Sequence, residues 1–173
     1  MTSLRMKLSK RGEYALRSLV ALGVALETGR DLVCLSELAS EEEIPQNFLQ
    51  QIFIDLKEAG VIESIRGKNG GFRLKKSPAE IIIGDVVRLI DGPLAPIRCV
   101  SQTAYEKCSC PDEASCGLRQ LMQNVRGSIS TILDRTSLAD IVATTVLHRK
   151  NRPARMESLS RPQSGDFSFG DGI

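Results

Sequence analysis

Residues 61–75 read VIESIRGKNGGFRLK, and this stretch decides the fold. Two runs containing β-branched and aromatic residues, 61–65 and 71–75, flank the turn RGKNG at 66–70. Glycine and asparagine tolerate the positive φ angles that tight hairpin turns need. The pattern therefore predicts a two-stranded β-hairpin.

Three helices are predicted ahead of this hairpin. Ser9 and Ser36 are placed to cap the first two, and Pro45 suits the first turn of the third, which ends before Gly60. Phe48 is expected on the inner face of the third helix. The expected ranges are 8–27, 37–42 and 46–59. Three helices followed by a hairpin predict a winged helix-turn-helix domain over residues 1–92.

The second half of the chain is predicted to be helical around one irregular loop. Residues 79–90 form a helix, no period holds from 93 to 116, and a long helix with an apolar stripe follows to 136. Ser137 is placed to cap a short final helix that ends at 146. The apolar content then collapses, which predicts a disordered tail over 147–173. The fold class is mainly α with a small β-hairpin, a winged helix-turn-helix domain plus a long C-terminal dimerisation helix.

Composition excludes several classes of protein. The 173 residues carry a net charge of +2 and a single His, and no run approaches the ~18–20 apolar residues of a membrane span. There is no secretory leader, so we expect a cytoplasmic protein without a disulfide framework. With one His, no phosphate-binding glycine loop and no nucleophile motif, we expect no enzyme and no small-molecule substrate.

The distribution of charge indicates double-stranded DNA as the partner. Residues 64–77 hold five basic side chains and no acid, although the first ninety residues are nearly balanced. The second helix of a helix-turn-helix pair reads the major groove, where Gln and Asn amides bond to adenine. The candidates there are Pro45, Gln46, Asn47, Gln50 and Gln51. The candidates for the minor groove and the phosphates are Arg66, Lys68, Asn69, Arg73, Lys10 and Arg17, with Lys75 and Lys76 beside them.

Four of the five cysteines lie in the loop, with the spacing Cys99-x8-Cys108-x-Cys110-x5-Cys116. Structural zinc sites usually use paired C-x(2–4)-C hooks, which this loop lacks, whereas a bulky iron–sulfur cluster tolerates irregular spacing. The spacing leaves a cluster, zinc, and redox-active or inert thiols as alternatives. Cys34 stands between apolar neighbours and is expected to be a small buried core residue.

Three stretches of the chain resemble the Rrf-type transcriptional regulators, which include the IscR, NsrR and RirA types. They are MKLSKRGEYALR at 6–17, RGKNGGFRL at 66–74, and SP at 77–78 through IGDV at 83–86. The resemblance covers residues 6–146. It implies a bacterial homodimer that binds a palindromic operator, with residues 117–146 as the dimerisation helix and the short helix after it.

The resemblance also implies a cysteine-ligated iron–sulfur cluster, [4Fe–4S] or [2Fe–2S]. Cys110 and Cys116 match the last two family ligands, Cys99 stands in the place of the first, and Cys108 is additional, so either it or Cys110 is the second ligand. Arg119 occupies the place of the IscR-type His. NsrR-like members instead use a carboxylate from the first helix of the other subunit, and Glu13 occupies that position.

These features lead to one hypothesis and one alternative. The chain is expected to be a repressor whose operator affinity depends on a cluster that senses iron, redox state or nitric oxide. The alternative is a cluster-free winged-helix regulator, controlled by a protein partner or by cysteine oxidation.

Overall fold

The computed structural model describes residues 8–67 and 70–151. In these residues the chain forms six α-helices and one antiparallel hairpin, which confirms the predicted fold class. The helices are α1 Lys10–Glu27, α2 Leu35–Glu41, α3 Gln46–Glu58, α4 Ile83–Asp91, α5 Gly117–Arg135 and α6 Leu138–Lys150. The strands are β1 Ile62–Ile65 and β2 Gly71–Leu74, and two short 3-10 helices lie at Pro78–Glu80 and Arg98–Val100.

The first three helices and the hairpin form a winged helix. The Ser9 side chain caps α1 by accepting a 3.0 Å hydrogen bond from the Gly12 amide. Gly60 ends the α3 segment with a φ of +68°, which a glycine adopts without steric cost. Val33, between α1 and α2, forms an antiparallel β-bridge with Phe72 of β2, next to the hairpin. The wing is therefore tied to the helices through the backbone as well as by side-chain packing.

One hydrophobic core joins the winged helix to the last helix of the chain. Leu19 of α1, Phe53 of α3 and Leu138 of α6 are almost completely buried in it. Val142 of α6 packs against Gly23 of α1, and α6 thereby closes over the domain. In contrast, α5 has no buried residue, although it is the longest helix.

Two helix boundaries differ from the sequence prediction by more than two residues. The helix expected at 79–90 splits, because the backbone at Ile82 forms a β-bridge with Ser137, and the α-helix begins only at Ile83. Helix α6 continues four residues beyond 146, so residues 147–150 are helical and are not part of a disordered tail. The basic side chains of His148, Arg149 and Lys150 favour this extension, since cations stabilise a helix C-terminus. The rest of the predicted tail, from 152, lies outside the described residues.

Three predictions at single residues were wrong. Cys34, not Ser36, is the N-cap residue of α2. Cys34 is also exposed, because side chains alternate in the extended segment before α2 and the inward position belongs to Val33. Phe48 is 44% exposed instead of facing inward, since it lies about a quarter of a turn from the centre of the buried stripe of α3.

Candidate DNA interface and cysteine site

The exposed residues at the start of α3 are rich in amide side chains. The inward face of the helix is anchored by four buried side chains, Leu49, Ile52, Phe53 and Leu56. All the residues predicted to read bases are exposed on the opposite side: Pro45, Gln46, Asn47, Gln50 and Gln51. Amides so placed can donate and accept hydrogen bonds at base edges.

Helix α1 fixes the position of α3 through charged side chains. Arg17 donates a 3.2 Å hydrogen bond to the Glu42 carboxylate and another bond to its carbonyl, in the turn between α2 and α3. Arg11 forms an ion pair with Asp55 of α3. Edge-to-face packing of Tyr14 on Phe48 adds an aromatic contact with a centroid distance of 5.8 Å. Arg17, predicted from sequence to meet phosphates, thus also holds the helix-turn-helix together.

Glu13 lies between two of the predicted DNA-contacting cations. Its carboxylate is 2.9 Å from Lys10 Nζ and 3.8 Å from Arg17 Nη1. The hydrogen bond to Glu13 raises the pKa of Lys10 above its ordinary value. Glu13 is not part of the cluster of potential metal ligands described below, and its role as a ligand for a second subunit stays a prediction.

The two described arginines of the wing have different surroundings. Arg73 of β2 forms ion pairs of 2.6 Å with Asp31 and with Glu63, its cross-strand partner. Its hydrogen bonds to these two acids raise the pKa of Arg73 above its ordinary value, and the bond to Asp31 has the larger effect. Arg66 is exposed at the start of the turn and forms no ion pair with any residue that the structure describes. Asp31 and Glu63, which lie outside residues 64–77, therefore neutralise part of the positive charge of the wing. Lys68 and Asn69 lie outside the described residues.

The cysteine loop is folded onto α5 around a small apolar cluster. Cys99, in the second 3-10 helix, is 4% exposed and packs in this cluster. The other members are Ala95, Ile97, Val100, Cys108 and Met122. Arg126 of α5 donates to the Val100 carbonyl, and Arg119 donates to the Cys99 carbonyl at 3.4 Å. Two arginines of α5 thus hold the loop at its first cysteine.

The four loop thiols are neighbours along the loop. The sulfur atoms of Cys99 and Cys108 lie within 4.8 Å of each other, and Cys116 is the N-cap residue of α5. The nearby thiol and backbone of Cys110 lower the pKa of Cys108. The Cys108 thiol, followed by burial, raises the pKa of Cys110 to about 11, and burial raises the pKa of Cys99. Among these three thiols, the surroundings favour the thiolate form at Cys108.

Glu113 is a candidate ligand that the sequence analysis missed. Ligand atoms of Cys99, Cys108 and Glu113 all lie within 4.8 Å of one another. The carboxylate accepts hydrogen bonds from the Tyr105 hydroxyl at 2.8 and 3.0 Å and pairs with Arg119 at 3.1 Å. No periodicity marks an acid in an irregular loop. Its place between Cys110 and Cys116 was the only available signal.

This donor set suits a soft metal centre. Thiolates bind zinc and iron–sulfur clusters, and a carboxylate oxygen completes the coordination of either. The site is partly buried, with Cys108, Cys110 and Cys116 at intermediate exposure, and it is anchored on one long helix. The residues present therefore fit the group that the sequence resemblance implies.

An exposed, amide-rich second helix of the helix-turn-helix and a wing beside it define a winged-helix DNA-binding regulator, and a separate cysteine loop accompanies them. In agreement with this class, the family model Rrf2, described as an iron-dependent transcriptional regulator, matches residues 8–144. The chain belongs to the Rrf2 family of transcriptional regulators. No helix in the described part of the chain is long and apolar enough to cross a bilayer.

Named relatives agree with the family. An Rrf2-like HTH-type transcriptional regulator from Rhodobacter capsulatus is 39% identical over 140 residues, covering 79% of this chain and 92% of the relative. The HTH-type transcriptional regulator IscR from Aliivibrio salmonicida is 31% identical over 168 residues, covering 97% of this chain and 90% of the relative. Among solved structures, CymR, the global cysteine regulator of B. subtilis, superposes with a TM-score of 0.66 at 28% identity, covering 80% of this chain and 97% of that one.

Proposed function

We propose that the protein is a homodimeric, cytoplasmic transcriptional repressor that binds palindromic double-stranded DNA and is controlled by an iron–sulfur cluster. The observation that carries the proposal is the approach of the Cys99 and Cys108 sulfur atoms and the Glu113 carboxylate to within 4.8 Å of one another, in a loop that holds four cysteines and leads into α5. Isolated structural thiols have no reason to gather in one partly exposed loop. The cluster, when bound, supplies a centre that reacts with oxygen or nitric oxide.

The ligands in this proposal are Cys99, Cys116 and one or both of Cys108 and Cys110. Cys108 is supported by its contact with Cys99, and Cys110 by its contact with Cys116. The cluster is [4Fe–4S] or [2Fe–2S], and the proposal leaves the fourth ligand open; the sequence resemblance predicts Glu13 of the other subunit for that place. Cys34 is not included, because it lies at the start of α2, in a different part of the fold.

Polar contacts connect the end of α4, which directly precedes the cysteine loop, to the DNA-binding helix. Asp91, the last residue of α4, accepts hydrogen bonds from the Ser9 amide at 2.7 Å and from the Ser9 hydroxyl. Ser9 caps α1, and α1 holds α3 through Arg11 and Arg17. A loop fixed through its cysteines would hold Asp91 and α1 in one arrangement. A released loop would let the two recognition helices of a dimer change their spacing.

On DNA, we expect the exposed amides of α3 in the major groove and the wing over the adjacent minor groove. Gln50 and its neighbours would read bases, while Lys10, Arg17 and Arg66 would contact phosphates. In this arrangement Arg73 would act through the ion pairs that shape the wing.

The test is anaerobic reconstitution of the full chain with iron and sulfide, followed by operator titration before and after cluster removal. We expect a coloured, iron-containing dimer whose affinity for DNA changes at least about tenfold on cluster loss, a typical coupling between two linked sites. The variants Cys108→Ala and Cys110→Ala, studied by Mössbauer spectroscopy, identify the second ligand. Colourless, iron-free wild-type protein after reconstitution would rule out the proposal.

The second candidate function is a cluster-free regulator controlled by thiol oxidation. The observation that favours it is the pair of free, partly exposed thiols Cys108 and Cys110, in which Cys110 lowers the pKa of Cys108, since thiolates are the form that oxidants attack. In that case iron-free protein would bind its operator, peroxide would alter the affinity, and Cys108→Ala would abolish the response. An operator affinity indifferent to peroxide would exclude this candidate.

A further inference from the structure

Two neighbouring acids in the cysteine loop point in different directions. Asp112 is exposed and accepts hydrogen bonds from the amides of Ala114 and Ser115, at 3.0 and 3.4 Å, and from the Ser115 hydroxyl. These bonds lower the pKa of Asp112, with the Ser115 hydroxyl as the main cause. Asp112 thus closes the turn, and the turn directs the next side chain, Glu113, towards the thiols of Cys99 and Cys108.

Glu113 is held among the thiols instead of extending into solvent. Its side chain is only 19% exposed, whereas Glu106 in the same loop is 58% exposed and pairs with Arg98. The carboxylate and the two sulfur atoms lie within 4.8 Å of one another. Two sulfur atoms and a carboxylate oxygen at these distances form the kind of donor set that binds soft metal ions. The arrangement therefore indicates a metal site more than a structural ion pair.

Arg119 and Tyr105 explain how Glu113 is kept in place. Arg119 contacts Glu113 Oε1 at 3.1 Å and the Cys99 carbonyl at 3.4 Å, so one guanidinium group positions two members of the site. Tyr105 donates to both carboxylate oxygens, and this bond raises its pKa. Because a carboxylate offers about four lone-pair sites, it can keep Arg119 and still bind a metal through Oε2.

We propose that Glu113 supplies an oxygen ligand to the iron–sulfur cluster from within the cysteine loop, so that each subunit completes its own site. This inference rests on the proposed function. It replaces the carboxylate of Glu13 on a second subunit with one already beside the sulfur ligands. Binding through Oε2 exchanges the Tyr105 hydroxyl for iron and leaves Arg119 in contact with Oε1.

The experiment compares anaerobically reconstituted full-length wild type with Glu113→Gln, Glu13→Gln and Glu106→Gln. Glutamine keeps the size of the side chain and an acceptor for Tyr105, and Glu106→Gln controls for loss of a loop carboxylate. The readouts are iron per chain, the visible circular dichroism and EPR spectra, and the rate of cluster loss to a chelator. We expect Glu113→Gln to change the spectra and to speed cluster loss about tenfold to 100-fold, the range seen when support for a metal ligand is removed. The other two variants should match wild type.

The variant Glu113→Cys provides a second test, which does not depend on loss of the cluster. A thiolate at this position should retain the cluster, with spectra shifted towards all-sulfur ligation. The inference is overturned if Glu113→Gln has wild-type spectra and stability, or if Glu13→Gln is the variant that changes them. A wild-type chain that takes up no iron would instead defeat the proposed function and this inference together.

Discussion

Arg66 and Arg73 carry the same charge on the same hairpin, but their surroundings give them different roles. Arg73 is held by two carboxylates, and leaving them for a phosphate would cost both ion pairs. Arg66 is exposed and has no such partner among the described residues. The charge that is available to DNA is therefore smaller than the sum of the wing's basic residues.

The first prediction follows from this difference. Arg66→Ala should weaken binding to all duplex sequences and lower the slope of log affinity against log salt by about 1, as expected for one lost phosphate contact. Arg73→Ala should leave this slope close to wild type and lower the thermal stability of the wing instead. Fluorescence anisotropy titrations at several salt concentrations measure the slopes. Equal slope changes in the two variants would contradict the assignment.

Single residues are also where sequence analysis reached least far. Cys34 looked like a core residue because its neighbours are apolar, but the direction of its side chain depends on the backbone conformation before α2. Its exposed thiol bonds to Ser36, which lowers its pKa. Glu113 was missed because a turn capped by Asp112, not a periodic pattern, directs it towards the cysteines. In both cases the local backbone conformation, which leaves no periodic pattern in the sequence, set the direction of the side chain.

At the scale of elements, α1 connects the other parts of the molecule. It contacts the recognition helix through Arg11 and Arg17, the end of α4 through Ser9, and α6 through Gly23. The absence of a side chain at Gly23 lets α6 approach closely: a Cβ there would lie 2.5 Å from Val142 Cγ2. Val142 is 2% exposed and β-branched, so it has little freedom to move away.

The second prediction tests this helix contact. Gly23→Ala should destabilise the fold, because overpacking a core costs about 1–3 kcal/mol while the gain in helix propensity is only about 0.5–1 kcal/mol. Val142→Ala removes the colliding methyl groups. The double variant should therefore lose less stability than the sum of the two single losses. Denaturant unfolding at fixed protein concentration measures all three, and strictly additive losses would show that the two side chains do not meet.

Element types were predictable because their signals are local. The Ser9 and Ser137 caps, the glycine stop at Gly60 and the turn-forming residues of the wing all act within a few positions. The split at residues 81–82 was not predictable, since it comes from pairing of the Ile82 backbone with a segment 55 residues further along the chain. Local patterns thus gave the order of elements, and distant contacts set their exact limits.

At the scale of the whole molecule, the outer side of α5 is an exposed apolar surface. Leu118, Leu121 and Ile132 are 57%, 54% and 66% exposed and lie on one side of the helix. Leu133 and Met122, which flank this side, pack against the core and the cysteine loop. An exposed apolar surface of this kind suits pairing with a second copy of the chain. It would also bring the two cysteine loops to the same interface.

The third prediction tests that pairing and its importance for DNA binding. Ile132→Glu should give monomers by sedimentation or light scattering with an unchanged far-UV circular dichroism spectrum, because a charge would be buried in an apolar contact. Binding to a palindromic duplex should fall about 100-fold or more, since linked half-site binding is lost. Gln120→Glu places the same charge on a different face of α5 and should remain dimeric. Dimers of Ile132→Glu with wild-type affinity would assign the contact between subunits to another surface.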